Sequence, residues 1–213
     1  MIRVYKSPNA PRSLSITQAY NGEDVLRQLE NDHYKKCYLC ERSLCTDFQV
    51  EHLKSQKNFP DLKQDWNNLF WSCGYCNEKK GNNFNNLLDP SVVNIEEEIK
   101  QVLNFLQKQA VFTSLAETDA HKETCQFLTK IHNGRNGLRT KREENFFEQV
   151  MGIVNDFYRL INQYLDNPTE ENKALVKENL QISKECLGFK YWIIKNNATL
   201  YSIFANDIVW NKQ

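Results

Sequence analysis

The stretch that decides the fold reads Cys37-Tyr-Leu-Cys40, then Val50-Glu51-His52, then Trp66-Asn67-Asn68-Leu69, and closes with Cys73-Gly-Tyr-Cys76-Asn77 and Lys80-Gly81. Two Cys-x-x-Cys pairs with thirty-two residues between them have the spacing by which two knuckles fold back on one tetrahedral ion. Four thiolates close the coordination shell, so the ion they predict is a structural Zn2+ held by Cys37, Cys40, Cys73 and Cys76. The competing readings are four buried cysteines without metal and a redox dithiol, although the latter usually comes as one pair near a βαβ unit. Cys45 lies close enough in sequence to be an alternative ligand.

The residues suspended between the pairs carry more. Glu51 and His52 are adjacent, Asn68 follows sixteen residues after the histidine, and Asn77 comes directly after the last cysteine. This combination resembles the HNH nucleases, whose ββα-metal motif hangs a hairpin and a helix on one catalytic divalent ion, often braced by a four-cysteine zinc. Phosphodiester hydrolysis needs a base for water and a cation to meet charge growing on the phosphate. His52 is the natural base, with an unperturbed pKa near ~6.5. If the pair lies on a strand, Glu51 points to the other side and can bind the metal. Asn77 offers a hard carbonyl oxygen suited to Mg2+ or Mn2+. The resemblance gives Asn68 a geometric role, pinning the loop that carries His52.

The 213 residues hold twenty-seven basic and twenty-seven acidic side chains, for a net charge of zero. Splitting the chain after Asp89 leaves each part close to neutral, which is awkward for autonomous binding to a polyanion, since that is driven by counterion release to Lys and Arg. Local patches or a partner must then supply grip. The candidates are Lys54 and Lys57 in the loop after His52, Lys80 beside the second knuckle, and Arg135, Arg139 and Arg142 in the acid-free run 130–142. An ordinary solvated loop is the alternative for both segments. No apolar leader follows Met1 and no run of eighteen apolar residues occurs, so the seven cysteines read as thiols of a cytoplasmic protein, with Cys125 and Cys186 as packing residues.

In chain order, the two prolines in residues 1–14 predict an extended segment, and helices are expected over 22–35, 118–131 with Asp119 as cap, 143–165 and 169–186. The motif's helix is expected from Asn77. Residues 92–109 have helical spacing, yet "VLNFL" and "AVFTSL" could instead pair as a hairpin. The aromatic tail with Tyr191, Trp192, Tyr201, Phe204 and Trp210 reads as core, or as a docking face if uncovered. The fold class is therefore α+β and mostly helical, with a zinc-stapled ββα-metal core in an HNH domain over 1–89 and a helical domain over 90–213 for partner docking or nucleic-acid binding.

The opening Met-Ile-Arg-Val-Tyr-Lys-Ser-Pro, the frame "VEH" with "DWNNLFWSCGYCNEKKG", the "LDP" junction and the helical remainder resemble the HNH subunits of Septu-type anti-phage systems, also found beside some retrons. Asn133, Leu138 and Arg142 loosely match a further pattern of that group. The resemblance implies an ABC/SMC-like ATPase partner of the PtuA kind, in some systems a retron reverse transcriptase with its msDNA, a bacterial cytoplasmic setting, and phage DNA or host RNA, including tRNA, as substrate. A stand-alone restriction or mobile-element nuclease and a non-catalytic zinc module are the alternatives.

Overall fold

Residues along Phe48-Gln49-Val50-Glu51-His52 alternate sides and form strand β1 (Phe48–His52). In the computed structural model, which describes residues 1–17, 19–43 and 45–210, β1 pairs antiparallel with β2 (Leu69–Cys73), placing Val50 opposite Trp71 and His52 opposite Leu69. One side of this hairpin is apolar. Phe48 and Val50 pack there on a cluster of Leu14, Val25, Leu29, Trp66, Leu69 and Trp71, delivered by α1 (Arg12–Ile16) and α2 (Glu23–Asp32).

The other side carries Gln49 and Glu51 and receives α3 (Gly74–Lys80), which starts directly after β2. This motif helix therefore begins three residues before the expected Asn77, because the second knuckle is itself its first turn. It ends at Gly81, whose positive φ of 51° is a conformation that favours glycine.

Beyond Asp89 come α4 (Ile95–Glu98), β3 (Ile99–Asn104), β4 (Gln109–Ser114), α5 (Asp119–Asn133), α6 (Lys141–Asp166), α7 (Glu170–Asn179), α8 (Leu187–Lys195) and α9 (Ala198–Phe204). Residues 99–114 are thus a hairpin, not a continuation of helix. Ile99, Gln101 and Leu103 are buried in alternation with partly exposed Lys100, Val102 and Asn104, and Leu106, which extends the helical spacing, lies 99% exposed at the turn. Helix α5 is capped by Thr118, whose hydroxyl accepts from the His121 backbone, and not by Asp119. A reciprocal capping box of Thr140 and Glu143 starts α6. The helix expected over 169–186 stops at Asn179, and the extended N-terminal segment runs only to Pro11 before α1 begins.

The expected division at Asp89 does not separate two cores. One apolar cluster unites Cys37, Tyr38, Phe70, Cys73 and Tyr75 with Ile95, Phe127, Phe146 and Phe189. Tyr75 stacks on Phe146 at 4.5 Å between centroids and donates its hydroxyl hydrogen bond to the Ile131 carbonyl at 2.7 Å. Two knuckles and a hairpin offer too little apolar area to stand alone, so α5 and α6 complete their core. Four of the five tail aromatics are core as well, with Tyr191, Trp192, Phe204 and Trp210 buried against α6 and α7, while Tyr201 is exposed. No helix among the described residues is long and apolar enough to cross a membrane.

Candidate metal centre and nuclease site

The first knuckle follows α2 and the second bridges β2 and α3, so folding the hairpin brings the two together. The Sγ atoms of Cys37, Cys40, Cys73 and Cys76 all lie within 4.8 Å of one another and all four residues are buried. At Zn–S distances of ~2.3 Å, tetrahedral geometry sets sulfurs about 3.8 Å apart. The Cys40–Cys73 separation of 3.9 Å meets that spacing. A closed shell of four thiolates is the donor set of a structural zinc, and it leaves no open position for catalysis. Cys45 stands outside the four, its sulfur 3.6 Å from the Arg42 guanidinium.

Along the seam between β1 and α3, each motif residue has a partner. The Asn77 amide donates to Gln49 Oε1 at 2.7 Å. The Glu51 carboxylate lies 2.9 Å from the Lys80 ammonium and accepts from the Tyr38 hydroxyl at 2.6 Å. Lys80 is fully buried and also donates to the His52 carbonyl at 2.8 Å. Burial raises the Glu51 carboxyl above its ordinary value, while the Lys80 ammonium and the Tyr38 hydroxyl favour the ionised form. The structure therefore does not join Glu51 to Asn77 directly; each answers its own neighbour.

His52 is turned away from that seam. Its ring is packed edge-on to Tyr20 at 4.9 Å, and the residue is only 4% exposed. This corrects the expectation of an imidazole open toward a phosphate, and the cause is strand alternation together with the loop 53–68 folding over the ring. Nε2 lies 2.9 Å from the Lys63 carbonyl, which can only accept. Nε2 therefore carries the hydrogen and Nδ1 the lone pair. The Gln56 amide sits 3.2 Å from Nδ1. Burial lowers the pKa of the ring, and the Lys63 carbonyl opposes that only in part, so the neutral form is favoured.

Asn68 closes the loop over His52. Its Oδ1 accepts from the Lys54 backbone at 2.7 Å, and its Nδ2 donates to the carbonyls of Lys54 at 3.0 Å and Leu62 at 3.1 Å. Leu62 adjoins Lys63, whose carbonyl orients the imidazole.

The candidate phosphate ligands divide. Lys57 and Arg135 are exposed, and Lys54 is half-buried with its ammonium over Phe59. Arg142 is exposed and paired with Glu78 at 2.6 Å. Lys80 is removed from that role by its burial. So is Arg139, which donates to the carbonyls of His132 and Lys108 and lies 3.6 Å over the Phe147 ring. Asn133 is likewise structural, bonding both backbone groups of Ala110. Gln49 and Gln56 give no signal in the sequence, because a lone glutamine carries none until the strand register is known.

Substituting Lys80 by methionine is expected to cost about 3–5 kcal/mol, because the Glu51 carboxylate would stay buried without its cation. Urea unfolding at full zinc occupancy measures this, and adding Glu51→Gln should recover part of the loss. An unchanged midpoint for Lys80→Met would show that the pair contributes nothing to stability.

Two antiparallel strands and a helix stand on the four-sulfur centre, and residues 37–83 match the family model described as HNH endonuclease. A longer segment is similar to a particular protein. It is 34% identical over 95 residues to the Septu protein PtuB of Bacillus thuringiensis, covering 36% of this chain. The chain spans 36% of the length of that relative.

Proposed function

We propose that the protein is a metal-dependent endonuclease of a Septu-type defence complex, hydrolysing phosphodiester bonds in DNA or RNA and partnered by an ATPase of the ABC/SMC kind. The carrying observation is the four-sulfur centre fixing β1, β2 and α3 in one frame, inside the stretch 37–83 that matches the HNH family model and that holds Glu51, His52, Asn68 and Asn77. Glu51 and Asn77 supply oxygen donors of the kind Mg2+ or Mn2+ selects, and both face the β1–α3 seam. Such an ion, when bound, would neutralise charge on the scissile phosphate. His52 is the base in this reading: Lys63 fixes its tautomer, burial keeps it neutral, and Nδ1 is left to accept the proton of water once the loop 53–68 opens and the ring turns from Tyr20 toward the seam. Access to Nδ1 requires Gln56 to swing aside, and access to the Glu51 carboxylate requires Lys80 to yield.

One observation favours a second reading, a non-catalytic zinc module: Glu51 and His52 have their polar atoms engaged within the protein. Purified zinc-loaded protein, with and without an ATPase of the ABC/SMC kind from a Septu system, should be given labelled DNA and tRNA in Mg2+ or Mn2+. Cleavage that needs both the divalent ion and the ATPase supports the defence nuclease. Cleavage of duplex DNA by the chain alone favours a stand-alone enzyme, and none under any condition leaves the zinc module.

A further inference from the structure

A cleft of about 550 Å³ separates the first knuckle from the start of α6, and its walls include Arg42, Asp47, Lys141, Arg142, Asn145 and Gln149. It continues into a hollow of about 340 Å³ that reaches Gln49 and Asn77, the two sharing Asp47 and Arg142. The cleft thus leads to the β1–α3 seam from outside.

Its walls carry Arg42, Lys141 and Arg142 against Asp47, with Glu78 in the adjoining hollow and Cys73 of the thiolate centre also on the wall. Lys141 is exposed and has no ion pair among the described residues. Arg42 has no carboxylate partner among them either, lying 4.8 Å over the Phe146 ring. The acids of the first turn of α6 are engaged elsewhere: Glu143 accepts from the Thr140 backbone and pairs with Lys79, and Glu144 pairs with Arg139. Asp47 is the one acid on the cleft wall, and it lies over Gly74 at the start of α3. Lys141 and Arg142 stand where the peptide dipoles of a 26-residue helix already concentrate positive potential. Asn145 and Gln149 extend the same face by successive turns and supply neutral hydrogen-bonding groups.

We propose that this cleft holds the phosphodiester backbone of a polynucleotide beside the seam, with Lys141 and Arg142 on phosphates and Asn145 and Gln149 along the strand. The assignment rests on the nuclease reading, because Asn77 at the far end of the hollow gives the strand its destination. Arg142 exchanges its pairing with Glu78 for phosphate when the strand enters.

The test is fluorescence anisotropy with labelled single-stranded DNA and RNA of one sequence, in buffer without Mg2+ or Mn2+ so that nothing is cut, on protein of verified zinc content. Lys141→Glu with Arg142→Glu should weaken binding at least about tenfold and lower the slope of log K against log salt by about 0.7 for each phosphate that is no longer neutralised. Lys141→Gln with Arg142→Gln, which delete charge without reversing it, should lower the slope equally with a smaller loss of affinity. Arg159→Glu, seventeen residues and about 25 Å further along α6, should change neither. Cleft variants that bind like Arg159→Glu overturn the proposal, and they leave the nuclease reading standing if the wild type still cuts with a divalent ion. A wild type that never cuts, with binding that still follows Lys141 and Arg142, supports the cleft as a nucleic-acid site and removes the nuclease.

Discussion

Cys73→Ser, or removal of zinc by a chelator, is expected to unfold the domain cooperatively and not just to silence it. Cys73 is the last residue of β2 and the N-cap of α3, so its sulfur fixes both elements to the knuckle behind α2. A structural zinc contributes on the order of 10–16 kcal/mol to small zinc folds, which matches or exceeds the ~5–15 kcal/mol total stability of a typical domain. The damage should spread beyond the motif. The four cysteines share their apolar cluster with Phe127 of α5 and Phe146 of α6, and Tyr75 between Cys73 and Cys76 is stacked on Phe146. Far-UV and near-UV circular dichroism should therefore fall together as the chelator is titrated, with a midpoint that tracks bound zinc. A Cys73→Ser protein that keeps its near-UV signal and melting temperature would show that packing alone holds the core.

The metal frame is legible in the sequence because ligand spacing is local chemistry: two Cys-x-x-Cys turns announce themselves whatever surrounds them. The stripe of Phe146, Phe147, Val150, Val154, Phe157, Leu160, Ile161 and Tyr164 is equally plain, and α6 follows it with all but the half-buried Leu160 buried. The hairpin over 99–114 is ambiguous because five apolar residues fit a period of 3.6 as well as pairing, and what decides between them is the partner strand and α8 beneath, which periodicity does not contain. The cluster that spans Asp89 is hidden for a similar reason, since a Pro-containing turn marks a change of direction and not a gap in packing. Charged residues are the least legible. Lys80 and Arg139 read as phosphate ligands by composition, yet one lies beneath Glu51 and the other over Phe147. A cation in a basic run becomes available or not according to the carbonyls and rings that the fold sets around it.

His52→Ala is expected to lower cleavage by about 10²- to 10⁴-fold, the usual contribution of a positioned general base, with zinc content retained. The size follows from the ring's preparation. The Lys63 carbonyl holds Nε2–H, the Asn68 amide ties the neighbouring Leu62 carbonyl, and burial keeps the imidazole neutral, so the tautomer and protonation state that a base needs are set before substrate arrives. Gln56 separates catalysis from architecture. Its amide lies against the nitrogen that the proposed mechanism assigns to accept the proton, so under that mechanism Gln56→Ala should cut at least as fast as the wild type, having one fewer group to displace. If His52 merely filled space beneath its loop, both substitutions would loosen that loop and lower any activity alike. Single-turnover rates of the two variants, read beside their melting temperatures and zinc content, decide between these accounts: a wild-type rate in His52→Ala rejects the base, and a parallel collapse in Gln56→Ala assigns the ring to the scaffold.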